Sequence, residues 1–211
     1  MIKYTLSIFL FINSIFIISA QHNPNAEQVI NKFTDSFRTQ AIRSEFTLKV
    51  SEKNAVNSQQ ISGTIVLRAN RFFLETDELT VWFDGKTQWA YLKASNEVNI
   101  TEPTEEELAA TNPVAIISAF KSVSRIQFSK LKNQTNHIVE LTPNNKKTDF
   151  SKVEIQLNKT SGNLHAISIA YKNGLKNELT FKNYQKNVAV NPGMFVFDKA
   201  KYKGAVMNDL R

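Results

Sequence analysis

Residues 80–93 read TVWFDGKTQWAYLK and form the clearest hairpin pattern in the chain. Two runs rich in β-branched and aromatic residues, Thr80 to Asp84 and Thr87 to Lys93, flank the dipeptide Asp84-Gly85. Asp-Gly between such runs is typical of a two-residue turn that joins antiparallel strands. This stretch therefore predicts an antiparallel hairpin in the first half of the chain.

Similar runs with the two-residue period of a strand lie on both sides of this hairpin. They cover residues 46–50, 61–68, 72–77, 97–100, 125–130, 137–141, 152–157, 164–171, 175–181 and 195–197. Two of the later turns are predicted at Ser161-Gly162 and Asn173-Gly174. Ten or more consecutive strands joined by short turns predict an antiparallel meander and exclude a fold of alternating strands and helices.

Helical periodicity interrupts the strand pattern at two places. Asn23-Pro24 has the composition of a helix start, and we expect one amphipathic helix from there to about Thr39. Its apolar face carries Ala26, Val29, Ile30, Phe33 and Phe37. The second interruption begins with Thr104 before three glutamates and continues with Asn112-Pro113. It carries the apolar residues Val114, Ile116, Ile117 and Phe120.

These helices are too few to cover both faces of so large a sheet. The chain is therefore predicted to be mainly β, a curled antiparallel sheet of about 10–12 strands that forms an incomplete (half) β-barrel. The helices are expected to lid the concave face. A barrel wall of this size leaves a ligand cavity wherever side chains do not fill it.

The first twenty residues have the composition of a cleaved signal peptide. Lys3 is followed by the apolar run Leu6 to Ile18, and Ser19-Ala20 offers a small-residue cleavage site. We therefore predict that residues 1–20 are removed on export and that residues 21–211 form one domain, since no internal repeat or linker is visible.

The composition excludes most catalytic classes. The 211-residue chain contains no cysteine, and its three histidines, His22, His137 and His165, lie far apart in the sequence. Neither a nucleophile elbow nor a phosphate loop nor a dinucleotide-binding fingerprint is present. We therefore expect no enzymatic activity, no catalytic residues, no metal and no cofactor.

The net charge of +7 is mild, and the basic residues are dispersed among the strands. This distribution argues against nucleic-acid binding. It leaves two interpretations open, a solvated basic surface or a positively charged rim that steers docking onto an acidic partner or an anionic lipid.

Several segments, taken in order, resemble the LolA family of periplasmic carriers of outer-membrane lipoproteins. The resemblance covers nearly all of the predicted mature chain, and Asp84-Gly85-Lys86-Thr87-x-Trp89-x-Tyr91 is its most specific part. The other segments are Gly63-Thr64-Ile65-Val66-Leu67-Arg68, Phe72-Phe73-Leu74-Glu75, Val139-Glu140-Leu141-Thr142-Pro143, Phe195-Val196-Phe197 and Gly204-Ala205-Val206.

The sequence departs from the family where an arginine–proline pair follows the second strand. Arg68-Ala69-Asn70-Arg71 stands there, one residue shorter than the usual turn. With that shortening, the aromatic residue that the family places in its cavity falls on Phe72, with Leu74 on the same face and Glu75 and Asp77 opposite. Arg68 and Arg71 are the candidates to replace the family's lid-holding arginine.

The resemblance implies a periplasmic chaperone that binds the acyl chains of lipoproteins and shuttles them from the inner to the outer membrane. Its implied partners are acylated lipoproteins, an inner-membrane lipoprotein-releasing transporter and an outer-membrane acceptor, and we expect a monomer. The alternative is a periplasmic sensor or lipid-binding protein of the same fold that retains its ligand. We predict that the acyl-chain cavity is formed by Phe46, Leu48, Phe72, Leu74, Phe83, Trp89, Tyr91, Ile116, Ile117 and Phe120.

Overall fold

A computed structural model describes residues 25–52, 58–108 and 112–211. The predicted signal peptide, residues 1–20, and the predicted cap Asn23-Pro24 lie outside this part of the chain. Within it, the fold is mainly β, as the strand pattern predicts, with twelve strands in a single sheet and three short helices.

The helices are α1 (Ala26–Thr39), α2 (Glu105–Leu108) and α3 (Pro113–Ser122). The strands of the first meander are β1 (Ile42–Ser51), β2 (Gln59–Arg68), β3 (Arg71–Thr76), β4 (Leu79–Phe83), β5 (Gln88–Leu92) and β6 (Glu97–Thr101). The later strands are β7 (Ser124–Phe128), β8 (Asn136–Pro143), β9 (Phe150–Asn158), β10 (Leu164–Tyr171), β11 (Lys176–Lys186) and β12 (Val206–Asp209).

The sheet is curled and remains open. Its strand order is β12-β6-β5-β4-β3-β2-β1-β11-β10-β9-β8-β7, so that β12 and β7 are its two edges. Pairing of β1 with β11 joins the two meanders side by side. Helix α1 contacts both β2 and β7, which lie far apart in this order. The sheet must therefore bend around α1, which confirms the predicted half-barrel with helices on its concave face.

Within the described residues, helix α1 begins at Ala26 and has Asn25 as its N-cap. The side chain of Asn25 accepts a hydrogen bond from the Gln28 backbone N–H at 2.8 Å, and the Gln28 side chain accepts one from the Asn25 N–H at 3.0 Å. This reciprocal capping box satisfies two amides that the helix itself leaves unpaired. The predicted apolar face is correct, since Ala26, Ile30, Phe33 and Phe37 are all buried.

One half of the concave face is filled by α1. Phe33 and Phe37 pack edge to face with their ring centres 4.9 Å apart. They belong to one apolar cluster with Leu67, Phe72 and Phe83 of the sheet, which are at most 3% exposed. The Ala69 N–H donates to the Phe37 carbonyl at 2.7 Å and ties the β2–β3 turn to the end of α1. The barrel interior around these rings is therefore packed.

A tight turn forms at Asp84-Gly85 as predicted, but four residues, 84–87, rather than two separate β4 from β5. The Asp84 carboxylate accepts hydrogen bonds from the N–H groups of Lys86 and Thr87 at 2.9 and 2.8 Å. Gly85 has a φ of 104°, which favours glycine, and a Cβ there would lie 2.7 Å from the side-chain nitrogen of Asn70. The sequence of this turn therefore fixes where β4 ends and β5 begins.

The C-terminal segment covers the convex face. Residues 195–197 do not form the predicted strand, because Pro192–Phe195 is a 3-10 turn that lies against β3 and β4. Phe197 and Tyr202 pack on Trp82, with ring centres 5.3 and 5.4 Å away. The final strand is β12, which pairs in parallel with β6 and was not predicted.

We expect Gly63→Val to destabilise the fold because the space beside this residue is closed. A Cβ at Gly63 would lie 2.1 Å from the carbonyl oxygen of Glu75 on the neighbouring strand β3. Forcing a side chain into such a site costs about 1–3 kcal/mol. Urea unfolding followed by circular dichroism measures the loss. The control is Ser62→Val, the exposed neighbour on the same strand, and equal stability of the two variants would contradict the prediction.

Trp89→Ala tests the packing of the convex face. Trp89 lies opposite Trp82 on β4 and Ile100 on β6, within an outer apolar cluster that also contains Phe197. Truncating a large aromatic residue in such a cluster should lower the free energy of unfolding by about 1–3 kcal/mol. Gln88→Ala, on the adjacent residue, should change it much less. An unfolding midpoint for Trp89→Ala equal to that of Gln88→Ala would show that the cluster contributes no stability.

Candidate functional site

An apolar cavity of about 980 Å³ occupies the half of the barrel that α1 leaves unfilled. Ligand pockets in proteins measure about 300–1,000 Å³, so this cavity lies at the upper end of that range. Its wall is the concave face of strands on both sides of the β1–β11 pair, and α3 covers it. The apolar wall residues are Phe46, Leu48, Ile65, Leu74, Ile167, Ile169, Leu179 and Phe181.

Helix α3 forms the lid of this cavity. Asn112 caps the helix by accepting a hydrogen bond from the Val114 N–H at 2.9 Å, and Pro113 occupies the first turn. Pro113, Ile116 and Phe120 face the cavity. The lid is therefore a ten-residue helix that presents apolar side chains to the hollow beneath it.

Two side-chain contacts hold the end of α3. The ring of Phe120 packs edge to face on Phe150 of β9, with the ring centres 4.7 Å apart. The ammonium group of Lys121 donates a hydrogen bond to the side-chain oxygen of Asn31 on α1. Besides these two contacts, α3 buries Pro113, Ile116 and Ile117, whereas α1 contributes four buried residues to the core.

Polar residues line the cavity at one end of the sheet, and we call them the cavity rim. They lie where β3, β9, β10 and β11 begin or end, and Glu78 and Asp149 among them are exposed. Burial raises the pKa of the Tyr171 phenol, so its hydroxyl stays protonated and can donate a hydrogen bond. The rim consists of Thr76, Glu78, Thr148, Asp149, Tyr171 and Asn177.

A second, more polar cavity lies on the other side of α3. It has a volume of about 1170 Å³ and is lined by Asn31, Arg38, Lys86, Glu102, Ser118 and Lys121, among others. Lys86 and Glu102, which both line it, form an ion pair with each other at 3.2 Å. Ala119 and Ser122 line both cavities, so α3 is the partition between them. The apolar cavity is the better candidate for an acyl-chain ligand because its wall consists of aliphatic and aromatic side chains.

The structure brings five of the ten predicted cavity residues together around the apolar cavity. These are Phe46, Leu48, Leu74, Ile116 and Phe120. Phe72 and Ile117 point to the same side of the sheet but lie fully buried within the packed core. Phe83 is also buried in this core and borders the more polar cavity on the other side of α3. The face assigned to Phe72 is correct, since Phe72 pairs with Phe83 inside the barrel and Phe73 packs on Trp82 outside it.

Trp89 and Tyr91 do not face the cavity, and the prediction for them is wrong in its geometry. Phe83 pairs with Gln88 across the hairpin, so Trp89 lies on the opposite face from Phe83. Side chains alternate between the two faces of a strand, so a shift of one position moves a side chain to the opposite face. Both residues belong to the outer cluster, where the rings of Tyr91 and Tyr202 lie 4.7 Å apart.

Sequence reasoning missed the contribution of the last strands to the wall. Five apolar residues of these strands line the cavity. They are Phe150 on β9, Ile167 and Ile169 on β10, and Leu179 and Phe181 on β11. Their two-residue spacing is visible in the sequence, but only the register of β1 against β11 shows that they share a face with Phe46 and Leu48.

Neither arginine at the β2–β3 turn takes the place of the family's lid-holding arginine. Arg68 and Arg71 pair across the turn, and both are exposed. Among the residues that the structure describes, neither side chain has a hydrogen-bond or ion-pair partner. The link between α3 and α1 is made by Lys121 and Asn31 instead.

The described part of the chain contains neither a metal-binding cluster nor a membrane-spanning helix. No three histidine or acidic side chains within residues 25–52, 58–108 and 112–211 are placed to hold a metal ion. In the same ranges, every helix is too short or too polar to cross a membrane.

Comparisons with known proteins agree with this architecture. Curated protein sequences gave no match. An uncharacterized conserved protein from Thermus thermophilus superposes with a TM-score of 0.57 at 10% identity, over 87% of this chain and 98% of that one. A LolA superfamily protein from Nitrosomonas europaea gives 0.46 at 9% identity, over 83% and 99%. A DUF1329 family protein from Desulfovibrio piger gives 0.46 at 11% identity, over 80% and 94%.

The sequence itself shows the family. The family model described as "Outer membrane lipoprotein carrier protein LolA" matches residues 16–174, well over half of the chain. That range contains α1, the hairpins of the first meander, the lid helix α3 and most of the cavity wall. The chain therefore belongs to the LolA family of outer membrane lipoprotein carrier proteins.

Proposed function

We propose that this protein is a periplasmic carrier that binds the acyl chains of lipoproteins in the apolar cavity and moves them from the inner to the outer membrane. The observation that carries the proposal is the unfilled hollow between the concave sheet and α3. A fully packed core would offer no place for an acyl chain, whereas about 980 Å³ lined by aliphatic and aromatic side chains does.

The energetics of acyl chains explain why such a carrier is needed. Burial of an acyl chain gains about 0.8 kcal/mol per CH₂, so a chain of roughly fifteen carbons costs on the order of 12 kcal/mol to bring into water. A lipoprotein cannot pay that cost and cross an aqueous compartment at a useful rate. The cavity replaces the bilayer as the environment of the chain during the transfer.

The lid must open for loading and release. The contacts that hold its end are the Phe120–Phe150 ring pair and the Lys121–Asn31 hydrogen bond, and opening also moves Ile116 and Ile117 out of the apolar core that they share with α1. A cargo-releasing transporter in the inner membrane and an acceptor at the outer membrane are the partners that this role requires. Handover to the acceptor requires only that its site binds the same chains more tightly.

Leu48→Glu tests the cavity as the acyl-chain site. Leu48 lines the cavity and is half-buried, so the fold should tolerate the change, whereas the fully buried Phe72 would not. A carboxylate beside the acyl chain should weaken binding of a fluorescent fatty-acyl probe about tenfold or more, because burying an unpaired charge is costly. Recovery of a purified lipoprotein in a soluble complex should fall in parallel.

Thr47→Glu is the matched control. It introduces the same charge one residue away, on the opposite face of β1, where the Thr47 hydroxyl contacts Ser62 at 3.0 Å. Its probe affinity should equal that of the wild type. Equal binding by both variants would rule out this cavity, and loading without later transfer to acceptor vesicles would favour a sensor that retains its ligand.

A further inference from the structure

One buried polar atom in the cavity wall has no partner. Three buried side-chain oxygens lack a hydrogen bond within the described part of the chain: Ser124 Oγ, Asn163 Oδ1 and Asn177 Oδ1. Of these three residues, only Asn177 lines the apolar cavity. Buried polar atoms are nearly always satisfied, so an unpaired acceptor in a residue that lines a cavity points to a ligand that brings a donor.

Asn177 occupies a position at which the alternating pattern of β11 predicts an apolar residue. Along β11 the cavity face carries Phe181, then Leu179, then Asn177, from the middle of the sheet toward the rim. Phe181 and Leu179 pair with Phe46 and Leu48 of β1, which are also wall residues. An acyl chain that lies along these residues has its polar end near Asn177.

Tyr171 supplies a donor beside this acceptor. Asn177 pairs with Ile169 on β10, and Tyr171 is two residues further along that strand on the same face, which places it diagonally opposite at about 7–8 Å. Both residues line the cavity. No hydrogen-bond partner of the Tyr171 hydroxyl is found among the described residues, and burial raises its pKa, which keeps the proton on the oxygen.

The charges of the rim argue against an anionic head group at this position. Glu78 and Asp149 both line the cavity and are exposed, and neither forms an ion pair with a described residue. A phosphate or a free carboxylate would be repelled by them. A neutral head group with one N–H and one C=O fits the available acceptor and donor.

We propose that Asn177 and Tyr171 form a subsite for the amide that links an acyl chain to its cargo, with the amide N–H donating to Asn177 Oδ1 and its carbonyl accepting from the Tyr171 hydroxyl. The subsite selects N-acylated ligands over ester-linked lipids, because an ester carbonyl satisfies Tyr171 but leaves Asn177 unpaired. This inference rests on the proposed function, since it takes the cavity as the acyl-chain site.

A matched pair of small ligands tests the selectivity directly. N-methylpalmitamide and methyl palmitate have the same chain and the same carbonyl and differ in the N–H. An amide loses more hydration than an ester on burial, so a purely apolar cavity prefers the ester. We expect the wild-type protein to prefer the amide by about tenfold, measured by displacement of a fluorescent fatty-acyl probe.

Three variants separate the roles of the two residues. Asn177→Leu should abolish or reverse the amide preference and keep the ester affinity. Tyr171→Phe should weaken both ligands alike and leave their ratio unchanged, because both carry the carbonyl. Asn163→Leu, the control, removes another unpartnered amide oxygen outside the cavity and should change neither affinity. Thermal unfolding by circular dichroism checks that each variant is folded.

The outcomes distinguish this inference from the proposed function. If neither ligand displaces the probe from the wild type, the cavity is not an acyl-chain site and both fail. If both ligands bind and the wild type prefers the ester, or binds the two equally, the carrier role stands and the amide subsite is wrong. The wild-type comparison alone decides this point, even if Asn177→Leu does not fold.

Discussion

The rest of the structure depends on how much of the concave face α1 can cover. A fourteen-residue helix is about 21 Å long, and its four buried side chains pack against one half of the length of the strands, although the helix contacts strands as far apart as β2 and β7. In that half, Phe33 and Phe37 meet Phe72 and Phe83 in a closed core. The other half keeps its apolar wall but receives only α3. The cavity is therefore the part of the barrel interior that no helix fills.

Most of the architecture was predictable because local rules decide it. The apolar spacing of α1 and the Asp84-Gly85 turn each have one favourable conformation, and both occur where the pattern places them. The C-terminal segment was not predictable in this way. Phe195 and Phe197 alternate like a strand, but Pro192 begins a 3-10 turn and the aromatic rings pack on Trp82 of the convex face. β12 pairs with a strand more than a hundred residues earlier.

The cavity wall was predictable only in part, for a related reason. Aromatic content singled out Phe46, which lines the cavity, but also Trp89 and Tyr91, which the hairpin register places on the convex face. The register of the β4–β5 hairpin would have corrected the assignment of both residues. Ile167, Leu179 and Asn177 required a different kind of information, the long-range pairing of β1 with β11. An unsatisfied polar atom such as Asn177 Oδ1 cannot be recognised before its surroundings are known.

The pairing of β1 with β11 has a consequence for the folding kinetics of the chain. Phe46 sits opposite Phe181, so the centre of the sheet cannot assemble until nearly the whole polypeptide is available. Chains dominated by contacts of such high sequence separation fold slowly, because the closure entropy of a long loop must be overcome first. The edge of β1 that pairs with β11 therefore stays without its partner until the chain has been synthesised as far as Lys186.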